Sequence, residues 1–340
     1  MKAIVYSSHG DSSVLSLVDR AIPEPGPGQV RIRIAVSGVN PTDWKSRATT
    51  ARLDRFAEIV PNQDGAGIVD AVGAGVADLS PGDRVWLYLT QHDRPGGTAQ
   101  EYVVVPASHA VRLADDLDFA TGASLGVPAM TAHRALTVHE NGPSRLSPGA
   151  LAGRTVFVAG GAGAVGRAAV QLASWAGATV IATVSSAEKA ALARAAGAHH
   201  AIDYKTEDVV ARVAEIARGG VDHIVEVSIA ENAAQDAAIA ANPASLVYYA
   251  DDVGGTFTMP TRPSFAKNLR IQGVLLYSVS PQAWAAATED ITAALADGIL
   301  RSGPETGLPL TWFPLEQTAA AHDAVQGGAV GKVLIRVADI

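Results

Sequence analysis

The chain has 340 residues, more than the roughly 250–300 that a single hydrophobic core usually serves, so we expect two domains. Its formal net charge is −8, without any block of like charge, which argues against a nucleic-acid partner. It contains no cysteine, and this excludes disulfides, thiolate zinc sites and a thiol nucleophile.

Two stretches bear on secretion and membrane insertion. The N-terminal MKAIVYSSHG has too short an apolar run for a signal peptide. The uncharged stretch 168–187 contains several polar residues, and it is typical of a helix followed by a strand rather than of a membrane span. We therefore expect a cytoplasmic protein with no membrane partner.

The pattern of the first 127 residues is typical of a β-rich domain. In VRIRIAV (30–36) apolar residues alternate with arginines, which predicts a half-buried strand. The preceding PEPGPGQ (23–29) predicts a turn-rich connector. Residues 65–89 form short apolar runs separated by Gly, Pro and Asp, as in strands joined by turns.

From residue 128 onward, helices and strands alternate. After a helix at 128–139, we predict strands at 155–159, 179–184, 200–203, 223–227, 245–250 and 269–276, with helices near 164–177, 187–197, 206–218 and 232–241. Each connection is long enough to return the chain parallel, so the pattern predicts a doubly wound α/β sheet. A helix near 281–298 and a last strand, KVLIRV (332–337), are expected to fold back onto the first domain.

A glycine-rich loop separates the first of these strands from the next helix. Gly161, Gly163 and Gly166 form the pattern G-x-G-x-x-G, and Gly160 precedes it. In a strand–loop–helix unit, such glycines let the backbone approach a pyrophosphate at a helix N-terminus. The alternative is a tight turn that serves only close packing of helix against strand. We predict a dinucleotide site.

The end of the second strand distinguishes NADPH from NADH. An NAD site usually places Asp or Glu there to accept from the ribose hydroxyls. This chain has Ser185 and Ser186, followed by Lys189, and two hydroxyls and an ammonium suit a 2′-phosphate. The alternative is that Ser186 caps the next helix while Lys189 is solvated, and both arrangements can hold at once. We predict NADPH.

Several stretches resemble a known family in the same order along nearly the whole chain. They are GVNPTDWKSR (38–47), VPNQDGAGIVDAVGAGV (60–76), PGDRV (81–85), GGTAQEYVVVPA (96–107), VPAMTAHRAL (127–136), the glycine loop, AIDYKTED (201–208) and FPLEQTAAAHDAVQGGAVGKVLIRV (313–337). The chain resembles the medium-chain dehydrogenase/reductase superfamily, in its zinc-independent quinone oxidoreductase (zeta-crystallin-like) branch. This implies a Rossmann dinucleotide-binding domain, 128–276, and a β-rich GroES-like catalytic domain, 1–127, completed by 277–340.

The same resemblance bears on metal chemistry. Zinc-dependent alcohol dehydrogenases of the superfamily carry zinc ligands where this chain has Asn40 and Gln63, and neither amide is a useful zinc ligand. We therefore expect no metal. Without a metal to polarise an alcohol or aldehyde, hydride transfer favours an acceptor that delocalises negative charge, such as a quinone or an α,β-unsaturated carbonyl.

The resemblance also implies roles for individual residues. Asn40 and Thr131 are expected beside the nicotinamide as the catalytic positions, and Trp44, Phe56 and Gln63 at the substrate pocket. Further cofactor contacts are expected from Gly160, Gly161, Ala162, Gly163, Ala164, Val165 and Gly166 at the pyrophosphate, Ser185, Ser186, Lys189 and Tyr204 at the 2′-phosphate, and Ser228, Tyr249, Ala250, Leu276 and Tyr277 at the strand ends.

Together these features predict an NADPH-dependent quinone oxidoreductase that transfers hydride to a quinone or an enone. Reduction of alkenals or enoyl thioesters is an alternative within the same fold. A further alternative is an NADPH-binding protein with a structural or regulatory role and little turnover. The apolar strand 269–276 lies where the family pairs two sheets, so a homodimer is expected.

Overall fold

The computed structural model describes residues 1–49, 51–140, 142–250 and 255–340. The chain divides into two compact units, one made of Met1–Val127 with Pro309–Ile340 and the other of Pro128–Leu308. Residues 277–308, which the sequence analysis assigned to the first domain, therefore pack with the second. Among the described residues, no helix has both the length and the apolar character needed to cross a membrane.

The elements of the first unit up to its interruption are short strands with two helices. They are β1 (Lys2–Val5), β2 (Ser16–Asp19), β3 (Gln29–Val39), α1 (Pro41–Thr49), β4 (Asp64–Val72), β5 (Arg84–Leu87), β6 (Tyr102–Pro106), β7 (Ala110–Arg112) and α2 (Phe119–Gly122). In β3 the side chains of Val30, Ile32 and Ile34 are fully buried and Arg33 is exposed, as the alternating pattern predicts.

The second unit alternates helices and strands. Its elements are α3 (Gly126–Thr137, which begins at the boundary), β8 (Thr155–Val158), α4 (Ala164–Trp175), β9 (Thr179–Val184), α5 (Ala187–Ala195), β10 (His200–Asp203), α6 (Val209–Ile216), β11 (Val221–Glu226), α7 (Ile229–Ile239), β12 (Ala240–Tyr248), α8 (Thr261–Phe265), β13 (Arg270–Gly273) and α9 (Pro281–Ala296). The chain then returns to the first unit with β14 (Leu310–Pro314), α10 (Thr318–Gln326) and β15 (Lys332–Arg336).

The sheet of the second unit has the strand order β10-β9-β8-β11-β12-β13. All its pairings are parallel, and the order reverses between β8 and β11. Strands covered by helices on both faces need near-continuous apolar runs, and in β9 all five residues from Val180 to Val184 are buried. The predicted doubly wound Rossmann sheet is confirmed.

The carboxylate of Asp290 explains why α9 belongs to the second unit. It accepts hydrogen bonds from His133 Nε2 at 2.7 Å, from Arg145 Nε at 2.7 Å and from the Leu146 amide at 2.6 Å. Burial raises the pKa of this carboxyl, but the three donors outweigh burial and lower it to about 2. The buried ion therefore joins α9 to α3 and to the segment that follows α3.

The main sheet of the first unit includes two strands from the end of the chain, β14 and β15. Its order is β14-β15-β3-β4-β5-β7, and β6 also pairs with β3. The last strand, β15, runs antiparallel to β3, with Val333 opposite Val39. This register places Lys332 beside Asn40, the residue that follows β3.

Candidate functional site

The predicted cofactor residues of the second unit follow the carboxyl ends of its parallel strands. Asp203 of β10 pairs with Val184 of β9, so Tyr204 and Ser185 leave the sheet side by side. Glu226 of β11 pairs with Tyr248 of β12 in the same way. The residues placed along this edge are Gly160–Gly166, Ser185, Ser186, Tyr204, Ser228, Tyr249, Ala250, Leu276 and Tyr277. Ligands of doubly wound sheets bind at this edge, next to the point where the strand order reverses.

The glycine loop after β8 has the geometry of a pyrophosphate cradle. Gly160 has φ +68°, which favours glycine, and a Cβ on Gly166 would lie 2.2 Å from the Gly160 oxygen. Gly163 is the N-cap of α4 and has no side chain to bind the first amides of the helix. The backbone N–H groups of Ala164, Val165 and Gly166 therefore point from a helix N-terminus without a capping side chain, and they fit an anion.

The end of β9 forms a small cationic site. Lys189 Nζ donates to Ser185 Oγ at 3.0 Å, which holds the ammonium beside the hydroxyl. Ser186 caps α5 by accepting from the Lys189 backbone N–H at 3.3 Å. The capping role of Ser186 is therefore present, and it leaves the Lys189 ammonium and the Ser185 hydroxyl together beside it. Tyr204 is the first residue after β10, the strand next to β9, and it is 53% exposed.

The end of β11 and the helix α7 that follows it carry a buried acidic pair. Glu226 and Asp236 are both fully buried, and they interact electrostatically with each other. Burial raises the pKa of both, that of Asp236 to about 9. Glu226 also accepts from the Ser228 amide, and burial together with this acid raises the pKa of Tyr249. This pair was not predicted from the sequence.

Two further predicted residues lie in the helical parts of the second unit. Thr131 is buried on α3, with 5% of its surface exposed. Leu276 begins a short 3₁₀ turn that also contains Tyr277, and its carbonyl accepts from Trp284 Nε1 at 2.9 Å. This bond fixes the segment after β13 against α9.

In the first unit, Asn40 belongs to a buried charged network. Its Nδ2 donates to Asp64 Oδ2 at 2.7 Å, and its Oδ1 accepts from Lys332 Nζ at 2.7 Å. Lys332 Nζ also lies 3.3 Å from Asp64 Oδ2, and the Val127 amide donates to Asp64 Oδ1 at 2.8 Å. Burial raises the pKa of Asp64, while Lys332 and Asn40 lower it. All three side chains are at most 2% exposed.

The three residues expected at the substrate pocket differ in their surroundings. Gln63 Nε2 donates to Gln91 Oε1 at 3.3 Å, and Gln63 Oε1 accepts from the Gln91 backbone N–H at 3.0 Å, so the buried Gln63 side chain binds both the side chain and the backbone of Gln91. The half-buried ring of Trp44 has Lys45 Nζ 6.0 Å from its centroid. The half-buried ring of Phe56 has the Arg55 guanidinium 5.4 Å from its centroid.

Besides Asp64, two buried side chains near Asn40 were not predicted as site residues. Asp43 accepts from the Asn40 backbone N–H at 2.7 Å and from the Gln63 backbone N–H at 3.2 Å, which links the end of β3 to the start of β4. The other is Lys332, whose signal was a lysine at the start of an apolar strand. In the parts of the chain that the structure describes, no group of three or more His, Asp or Glu side chains could hold a metal ion.

Two family models match the chain. They are those of the alcohol dehydrogenase GroES-like domain, over residues 26–115, and of the zinc-binding dehydrogenases, over residues 164–293. The human quinone oxidoreductase is 30% identical over 339 residues, which cover 98% of this chain and 97% of the relative. A 2-haloacrylate reductase of a Burkholderia species is 31% identical over 347 residues, which cover 98% of each chain.

The solved structures include a mycobacterial protein complexed with NADPH. It is 27% identical and superposes with a TM-score of 0.81, covering 99% of this chain and 100% of that one. Together with the full-length match to the human relative, this confirms the resemblance inferred from the sequence motifs. The chain belongs to the zeta-crystallin-like quinone oxidoreductase branch of the medium-chain dehydrogenase/reductase superfamily.

Proposed function

We propose that the protein is an NADPH-dependent, zinc-independent reductase of quinones or α,β-unsaturated carbonyl compounds. The observation that carries the cofactor assignment is the Lys189–Ser185 contact at the end of β9, where an NAD site would hold an acid. Relatives named quinone oxidoreductase and 2-haloacrylate reductase, and the NADPH complex, support the reaction class.

When bound, NADPH supplies a hydride. In this proposal the amides of Ala164, Val165 and Gly166 bind the pyrophosphate, which fixes the cofactor along the carboxyl edge of the sheet. Lys189 and Ser185 bind the 2′-phosphate. The proton that completes the reduction comes from water or from the Thr131 hydroxyl, because an oxyanion stabilised by delocalisation needs little acid assistance. Catalysis rests mainly on holding donor and acceptor close.

The Lys189→Ala variant should bind NADPH about ten- to a hundredfold more weakly and NADH almost unchanged, because a charge-assisted bond contributes about 1.5–3 kcal/mol. Titration of each cofactor by fluorescence measures the effect. Arg194→Ala is the matched control, since it removes an exposed cation from the last turn of the same helix. Equal losses for both cofactors would mean that Lys189 does not contact the 2′-phosphate.

The reaction class is tested by oxidation of NADPH and of NADH in the presence of a benzoquinone, an alkenal, an enoyl thioester and a saturated aldehyde. We expect NADPH to be preferred and the saturated aldehyde to be inert. Whichever of the other acceptors is reduced faster decides between quinone reduction and alkene reduction. The relative named 2-haloacrylate reductase favours alkene reduction. Tight NADPH binding without turnover of any acceptor would favour a structural or regulatory role.

We also propose a homodimer that forms through β13. This strand is the last of its sheet, and Ile271, Leu275 and Phe265 on or beside it are 37%, 59% and 62% exposed. An unpaired edge with apolar side chains favours pairing with a second copy. Light scattering should give twice the mass of the chain, and a monomeric mass at all working concentrations would contradict the proposal.

We further propose that the protein is cytoplasmic. A chain without cysteine fits that compartment, and cell fractionation would test it.

A further inference from the structure

The network of Asn40, Asp64 and Lys332 defines which way the Asn40 amide points. The Lys332 ammonium can only donate, so the group 2.7 Å from it is the amide oxygen. Asp64 accepts from the Val127 amide and from Lys332, so the Asn40 atom 2.7 Å from it is the amide nitrogen. The Asn40 backbone is held as well, because its N–H donates to Asp43.

This arrangement leaves Asn40 with one N–H to offer. A primary amide carries two N–H groups, and Asp64 uses one. Within the described residues, no acceptor is bonded to the second. Lys332 places a positive charge on the oxygen side of the amide, which withdraws electron density from the nitrogen and strengthens the remaining donor. The side chain is thus a polarised hydrogen-bond donor with a fixed direction.

We propose that Lys332 is a positioning residue that holds Asn40 as the hydrogen-bond donor to the oxyanion formed on the acceptor. The inference rests on the proposed function. Hydride from NADPH adds to a quinone, or to the β-carbon of an enone, so that NADPH is oxidised and the acceptor is reduced. The electron pair moves to the acceptor oxygen as negative charge. The Asn40 N–H stabilises that charge until a proton from water gives the hydroquinone or enol.

A purely structural role is the competing explanation, in which Lys332 only neutralises the buried Asp64. The two explanations differ in what happens when the positive charge is removed and the fold is kept. Lys332→Met removes the charge at similar length, Lys332→Gln keeps a donor without charge, and Lys332→Arg keeps the charge. Lys2→Met is the matched control, because it removes a lysine of the same unit that pairs with Glu316 at the surface.

The first readout is steady-state kinetics with the acceptor that the wild-type protein reduces fastest. We expect Lys332→Met and Lys332→Gln to lower kcat about 10- to 100-fold, with NADPH affinity unchanged, Lys332→Arg to restore most of kcat, and Lys2→Met to match wild type. The second readout needs no turnover. Binding of 4-nitrophenol, followed by its absorbance, should lower the pKa of the phenol in the wild-type protein, and this shift should be lost in Lys332→Met.

If Lys332→Met does not fold, Asn40→Asp takes its place. It keeps a partner for Lys332 but has no N–H to donate, so it too should lose the phenol shift. Wild-type kcat and phenol binding in a folded Lys332→Met would overturn the inference, as would a fall in NADPH affinity equal to the fall in kcat. Absence of turnover in the wild-type protein would contradict the proposed function, while the phenol titration would still decide whether Asn40 stabilises an oxyanion.

Discussion

The Asp290→Ala variant should lose about 3–5 kcal/mol of unfolding free energy, because it leaves buried donors without their anion. His133 and Leu146 are 2% exposed, and both donate to this carboxylate. Urea unfolding monitored by circular dichroism measures the loss. Glu289→Ala is the matched control. Its carboxylate lies 2.8 Å from the same Arg145 but is 63% exposed, so the cost should stay below about 1 kcal/mol.

The loss at Asp290 should depend on pH in a defined direction. The pKa of this group is about 2 in the folded protein and has an ordinary value of 3.8. The folded state therefore binds fewer protons than the unfolded state. The contribution of Asp290 to the free energy of unfolding is complete above pH 3.8 and disappears as the pH falls through about 2. The difference between wild type and Asp290→Ala should narrow over that interval. A difference of the same size at about pH 2 and about pH 7 would contradict the assignment of the ion.

Asp236→Asn should have the opposite effect and stabilise the protein at alkaline pH, by about 1–4 kcal/mol. Asp236 is fully buried, and no N–H or hydroxyl in the described part of the chain donates to its oxygens. Ionising it beside Glu226 buries a second negative charge without compensation. Asparagine cannot ionise, and its amide can donate to Glu226.

The sign of this second pH dependence follows from a raised pKa. Between 3.8 and about 9, folded Asp236 holds a proton that the unfolded chain releases, so wild-type stability falls as the pH rises through this interval. The advantage of Asp236→Asn should therefore grow with pH. Glu231→Gln, an exposed acid on the same helix, serves as control and should show no such trend. A constant difference across the interval would mean that folded Asp236 does not retain its proton.

Much of the second unit could be predicted because its signals are local. The strand at 179–184 is predicted with the bounds that the structure gives, since its five consecutive buried residues are apolar except for Thr183. The glycine loop could also be predicted from the local sequence, because only glycine fits at position 166, where a Cβ would meet the Gly160 oxygen. The side chains placed at the carboxyl edge follow from this local pattern together with the rule that parallel strands end at the same edge.

The features that could not be predicted depend on pairing over long sequence separations. Lys332 reaches Asn40 across 292 positions, and only the register of β15 on β3 brings them together. Asp290 joins His133 across 157 positions, which is why helix α9 packs with the second unit although the sequence suggested the first. A charged residue in an apolar segment was the only local sign of either contact, and such a residue is usually solvated.

A single-turnover experiment tests the central claim most directly. The protein is loaded with one equivalent of NADPH and mixed with excess benzoquinone in a stopped-flow instrument, while NADPH absorbance is followed and hydroquinone is quantified. We predict complete loss of the NADPH signal and one hydroquinone per NADPH, at a rate that Lys332→Met slows. If NADPH stays bound and unoxidised with benzoquinone, and equally with an alkenal and an enoyl thioester, the protein is not the reductase proposed here.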